Sequence, residues 1–236
     1  VVISTCAIMY YIPYQIVESW LTLAFIVAVP FQVVFSRWIN NQTKIGGKLA
    51  LVGFYTLLSA MASIVIYYVF SASALPKPQL INYAIVMVVV TFWFVIVWNG
   101  WPISKMSTNP YVFAVGVVFV AFAAAAGIYA LAFDFSHLQG SGLYIQAMDP
   151  SGWFNAWYVI AFMVTTVAII FSLVLLDFWP ASSLFPKASV AASALINSCI
   201  ILILASLLFY TFVLVLRIDP VIYLVNGPIS YIFGTF

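Results

Sequence analysis

Apolar residues run along this chain in long unbroken blocks, not in alternation. Six blocks reach the length of about 20 mostly apolar residues that a helix needs to cross a bilayer. They are residues 16–37, 47–71, 80–100, 110–134, 153–178 and 188–216. Their continuity argues against the tilted, alternating strands of a membrane barrel. The pattern predicts an all-α polytopic integral membrane protein with about six transmembrane helices. Shorter apolar stretches at 1–12 and 221–236 read as partial membrane segments at both ends. The expectation is therefore a single transmembrane domain over 1–236, cut from a longer chain. No basic stretch precedes the first apolar residues, so no signal peptide is readable.

The breaks between blocks carry turn chemistry. Asn40-Asn41-Gln42-Thr43 and Gly46-Gly47 end the first block, and Pro76-Lys77-Pro78 the second. Trp101-Pro102 and Asn109-Pro110 bracket the third break, and Trp179-Pro180 and Pro186 the fifth. The fourth break, about 135–152, is the longest and holds Gly140-Ser141-Gly142 and Asp149-Pro150. Asp219-Pro220 reads as a helix start, because Asp accepts from orphan N–H groups and Pro suits the first helical position. Within the last segment, Asn226-Gly227-Pro228 reads as an interruption, suiting a re-entrant or broken helix.

Charge sets the orientation. Arg37, Lys44, Lys48, Lys105 and Lys187 fall in the first, third and fifth breaks, against Lys77 and Arg217 on the other side. The excess of basic residues places the Trp-Pro loops in the cytoplasm and the loop 135–152 outside. Trp38, Trp98, Trp101 and Trp179 then form an inner interfacial belt, and Trp20, Trp153 and Trp157 an outer one. Trp93 lies inside a block and reads as a packing residue.

An internal repeat is visible around the Trp-Pro pairs. Trp98-Asn99-Gly100-Trp101-Pro102-Ile103-Ser104 can be laid over Leu176-Asp177-Phe178-Trp179-Pro180-Ala181-Ser182. Ser36-Arg37-Trp38 is a poorer copy without the Pro. The spacing suggests parallel hairpin repeats over 16–71, 80–134 and 153–216, of a kind that some transporters have. The preference of Trp and Pro for helix ends at interfaces gives a simpler explanation of the same pattern.

Composition sharpens the class. The 236 residues are 67% hydrophobic and 5% charged, with a net charge of +2 and a mean hydropathy of +1.21. Globular proteins are about 25% charged, so this chain cannot coat a water-facing surface. The expected partners are the lipid bilayer and other membrane subunits or missing parts of the same chain, with no nucleic acid. Cys6 and Cys199 lie in apolar runs and read as packed, reduced thiols. His137 is the only histidine. A bis-His haem or a multi-His copper or zinc site therefore cannot form within the chain. No nucleotide-binding, zinc-protease or nucleophile-elbow motif is present, so neither an enzyme nor a cofactor is expected.

Polar groups inside a bilayer are costly and are the natural site candidates. Four are singled out as lining a substrate or ion path: Asn197, Asp177, Asn99 and Gln32. Asp177 and Asn99 stand two residues before a Trp-Pro pair, near the cytoplasmic ends of the fifth and third blocks. Capping is the favoured role for both, and a coupling carboxylate the sharper one for Asp177. Asn197 lies deep in the sixth block, as interhelical glue or substrate contact. Gln32 follows Pro30, which frees a backbone carbonyl. The Ala121–Gly127 run reads as a small-residue surface for close helix contact. The function expected is transporter-like movement of a small solute or ion. The alternative is a non-catalytic structural subunit or scaffold of a membrane complex.

Overall fold

The computed structural model describes residues 78–106, 109–142 and 144–234, with short helical stretches at 46–50, 53–54, 57 and 61. The expected span 16–37, most of 47–71, the terminal stretch 1–12, the first hairpin copy and Gln32 lie outside the described residues. Four described helices are long and apolar enough to cross a membrane: Pro78–Val97, Val112–Ala132, Ala156–Leu175 and Val190–Val215. They match the last four blocks read from sequence. Their apolar composition points to a membrane protein.

Helix α1 (Pro78–Phe92) continues into a π-helical turn at Trp93–Val97. A short helix α2 (Ile103–Met106) leads to α3 (Pro110–Ala132). Strands β1 (Phe133–Asp134) and β2 (Phe154–Asn155) pair in parallel, Phe133 with Phe154 and Asp134 with Asn155. Helix α4 (Ala156–Leu175) follows, then short α5 (Ala181–Leu184) and α6 (Val190–Phe209), which widens into a π turn at Tyr210–Val215. The chain then turns back through α7 (Pro220–Leu224), a π turn at Val225–Ile229 and α8 (Ser230–Gly234). The two-residue strand pair is a small departure from the all-α expectation. It closes the loop between α3 and α4 and builds no barrel among the described residues.

Helix starts follow local chemistry. The Asn155 side chain accepts from Trp157 N–H at 2.9 Å, and Ser189 from Ala192 N–H at 3.3 Å. Asp219 accepts from the N–H groups of Val221 and Ile222 at 2.9 and 3.2 Å. Each occupies donors that a helix N-terminus leaves without partners. Asn226-Gly227-Pro228 does not interrupt the last segment, contrary to the sequence reading. The winding widens to a π turn around Pro228, and Ser230 Oγ donates to Val225 C=O at 2.7 Å. The hydroxyl thus adds a second donor to a carbonyl that the Ser230 N–H already reaches, and holds the widened turn around Pro228.

Helix α4 is the centre of the bundle. It packs against α1, α6 and the α7–α8 winding, while α3 packs on α1. Of its apolar stretch 61% is buried, against 17% for α6, whose outer face is left to its surroundings. Ala121 and Ala125 of the small-residue run are buried, whereas Ala123 and Gly127 are exposed. Only one edge of that run makes the close contact expected of it. Cys199 is exposed on α6, not packed in the core as its sequence context suggests. An apolar context in a bilayer helix does not tell the protein-facing side from the lipid-facing side.

The chain between α3 and α4 folds as a tight cap. Gly152 N–H donates to Phe133 C=O at 2.7 Å, and Trp153 N–H to Leu131 C=O at 3.1 Å, so the loop takes up carbonyls at the end of α3. A Cβ on Gly152 would lie 2.6 Å from the backbone nitrogen of Phe133 and 2.7 Å from its oxygen. Backbone atoms cannot give way as a flexible side chain can. Gly152→Ala is therefore expected to lower stability in detergent by about 1–3 kcal/mol, as overpacking does. Gly127, with open space around it, is the control: Gly127→Ala should be neutral or stabilising by up to about 1 kcal/mol. Thermal unfolding of the two variants checks this, and equal melting temperatures would contradict it.

Candidate functional site

No charged residue occurs within the four described spans. Their polar chemistry rests on hydroxyls, amides and aromatic donors. A threonine or serine has one O–H to donate. On α4, Thr165 spends it on Ala161 C=O at 2.7 Å, Thr166 on Met163 C=O at 2.7 Å, and Ser172 on Ala168 C=O at 3.0 Å. Each oxygen is left as an acceptor, and each meets an aromatic donor from another element. Trp93 Nε1 donates to Thr166 at 3.0 Å. Tyr223 and Tyr231 stand 3.1 and 2.8 Å from Thr165 and Ser172, and the occupied hydroxyl protons make the tyrosines the donors. Trp98 Nε1 donates to Ser198 on α6 at 3.2 Å. Interhelical bonds of this kind contribute about 0.6 kcal/mol each, and up to roughly 1.7.

The four sequence candidates fare differently. Asn197 is 4% exposed, on the face of α6 that also buries Ala194, Ser198, Ile201 and Ala205. Its Nδ2 reaches Ser193 Oγ at 3.4 Å, and its Oδ1 is buried without a hydrogen-bond partner. Asp177 and Asn99 are exposed and lie beyond the ends of their helices, not inside them as the sequence suggested. Gln32 is outside the described residues. The Trp98–Ser198 bond brings the neighbours of Asn99 and Asn197 into contact. Asp177 stands in the other turn, where its neighbour Phe178 packs against the same buried cluster as Trp98.

Asn99 and Asp177 instead hold the same place in two matching turns. Their φ angles are +50° and +51°, in the left-handed region that Asn and Asp enter more readily than most residues. Gly100 and Phe178 follow at +68° and +56°. Trp101 N–H donates to Trp98 C=O at 2.9 Å, and Trp179 N–H to Leu176 C=O at 3.0 Å. Ser104 N–H then donates to Gly100 C=O at 2.9 Å, and Ser182 N–H to Phe178 C=O at 3.0 Å. Both Trp-Pro bonds are cis. The turns differ where packing requires it. A Cβ on Gly100 would enter the ring of Phe113, whereas Phe178 packs against the buried cluster that includes Ile170 and Leu173.

A second polar group, which the sequence reading passed over, lies at the other end of α1. Gln79 is fully buried, with Nε2 3.5 Å from Ile145 C=O. Asn82, one turn on, is buried with Nδ2 unpartnered. Above them Asp149 organises the cap: one carboxylate oxygen accepts from the N–H groups of Phe135 and Ser151 at 3.2 and 3.0 Å, the other from Tyr144 OH at 2.9 Å. Partial desolvation, and then the bond to Asp149, raise the Tyr144 phenol above its ordinary value. Deprotonation of the phenol as pH rises through that raised value removes the donor of this bond. Tyr129 OH donates to Met148 C=O at 2.8 Å. His137 is exposed in this cap, its ring 6.2 Å from that of Trp157. The reach of Gln79 to the loop at Ile145, 66 residues on, appears only in three dimensions; the one-turn spacing of Gln79 and Asn82 was the available signal.

The chain matches no protein-family model, no curated protein and no solved structure.

The geometry of Asp177 yields a direct test. Asp177→Asn preserves a side chain that tolerates the left-handed region, so the variant should unfold at the wild-type temperature. Asp177→Val places a β-branched residue there and should cost about 1–2 kcal/mol. Thermal melts in detergent distinguish them; equal loss in both would show that the carboxylate charge, not the backbone conformation, governs the position.

Proposed function

We propose that this chain is a transporter-like, multi-pass membrane protein that passes a small neutral polar solute and performs no covalent chemistry. The observation that carries the reading is Asn197: an amide oxygen buried in the bundle with no partner. A buried acceptor left unmade costs on the order of 1–3 kcal/mol, and a passing donor would relieve it. The absence of charge from the described spans favours an uncharged solute over an ion. On this reading Asn99 and Asp177 shape the turns, and the path runs between α1, α4 and α6. The matching turns support treating 80–134 and 153–216 as two copies of one hairpin. The basic residues support a cytoplasmic position for the Trp-Pro turns and an outside position for the cap.

A second reading is a non-catalytic subunit or scaffold that packs against other membrane subunits or further parts of its own chain. Its support is the aromatic–hydroxyl bonding, which uses polar groups to hold helices together, and the sparsely covered α6.

Stopped-flow light scattering on proteoliposomes separates the two. Wild-type protein should accelerate entry of at least one solute among urea, acetamide and glycerol over empty liposomes. Asn197→Leu should reduce that rate at least tenfold while the protein stays monodisperse, because the bilayer does not penalise the apolar replacement. Wild-type entry at the rate of empty liposomes would favour the scaffold. Unimpaired entry in Asn197→Leu would remove this residue from the path.

A further inference from the structure

The two Trp-Pro turns belong to one end of the bundle: α1–α3 and α4–α6 are successive antiparallel hairpins, and Trp98 at the first turn bonds Ser198 near the start of α6. Each turn carries a short helix whose inner residue is buried, Ile103 in one and Ala181 in the other. The opposite sides are apolar and exposed. Met106 is 80% exposed, and Leu184, Phe185 and Trp179 are exposed as well. Beside these stand Lys105 and Lys187, both exposed. The only carboxylate at this end among the described residues is Asp177, whereas the other end holds Asp134, Asp149 and Asp219 against Arg217.

Exposed apolar side chains next to lysines, on elements lying at the ends of spanning helices, match the chemistry of a bilayer's headgroup layer. The apolar groups enter the acyl boundary, and the lysines reach outward to phosphate level. A zwitterionic surface gives the lysines no net attraction; an anionic one does. We propose that the two Trp-Pro turns form a paired docking surface for anionic phospholipid headgroups, with Lys105 and Lys187 as the discriminating contacts. The surface is independent of the solute path, because neither lysine lies in a spanning helix.

Native mass spectrometry of the detergent-solubilised full chain, offered equal phosphatidylglycerol and phosphatidylcholine, tests this. The wild type should retain phosphatidylglycerol preferentially. Lys105→Gln or Lys187→Gln should each lower the preference about fivefold, the effect of one surface lysine. The double Gln variant should fall to near parity, and Lys105→Arg with Lys187→Arg should keep the preference, which guards against a folding artefact. Arg217→Gln at the opposite end should leave it unchanged. Parity in the wild type, persistence in the double Gln variant, or an equal loss in Arg217→Gln would overturn the proposal. Displacement of the lipid by millimolar inorganic phosphate would also overturn it, by assigning the lysines to free phosphate.

Discussion

A polar group removed from water must find a partner within the protein, and in an apolar bundle the supply of partners is short. The arrangement around α4 follows from that constraint. Thr165, Thr166 and Ser172 first satisfy carbonyls of their own helix, which fixes their protons and leaves acceptors pointing away. Only donors can then dock there. Trp93, Tyr223 and Tyr231 supply donors mounted on large apolar rings, so each contact combines packing with a hydrogen bond. The same residues decide which elements touch α4: the π turn after α1 through Trp93, and the α7–α8 winding through both tyrosines. Replacing one hydroxyl with a methyl would leave an aromatic donor without its acceptor and would loosen a specific pair of elements.

The ends of the bundle obey the constraint differently. At one end the Trp-Pro turns reverse the chain using left-handed residues and backbone bonds, with the side chains of Asn99 and Asp177 left exposed. At the other end a longer loop folds over α3 under the Asp149 carboxylate, which gathers two backbone N–H groups and a phenol. Against this background of satisfied groups, Asn82 and Asn197 stand out, each buried with one amide atom unpaired. The solute path proposed above rests on the second of these.

Much of this was legible in the sequence because the hydrophobic blocks are long and their ends are punctuated. The last four blocks match the four described spans within a few residues. Asp219-Pro220 begins a helix, as capping chemistry requires. The likeness of the Trp98–Ser104 and Leu176–Ser182 stretches also appears in their backbone bonds. Other features were hidden for physical reasons. Apolar helices in lipid are hydrophobic all round, so Cys199 could not be assigned a face. Asp177 and Asn99 were read as helix residues because a left-handed turn leaves little trace in hydrophobicity. The Asn226-Gly227-Pro228 stretch looked like a break because the sequence does not reveal that a π turn and Ser230 would absorb it. The hydroxyl–aromatic pairs depend on contacts between elements tens of residues apart, which no local spacing encodes.

The four described helices are long and apolar enough to have lipid as their solvent, and the orientation proposed above puts both Trp-Pro turns on one side and the Asp149 cap on the other. Single cysteines at Ser104, Ser182 and Ser141, in a chain with Cys6 and Cys199 replaced by Ser, test it in sealed cells with an impermeant thiol reagent. Ser141→Cys should label without permeabilisation, and Ser104→Cys and Ser182→Cys only after it. Labelling of all three from the same side, or of Ser104→Cys and Ser182→Cys from different sides, would contradict the account.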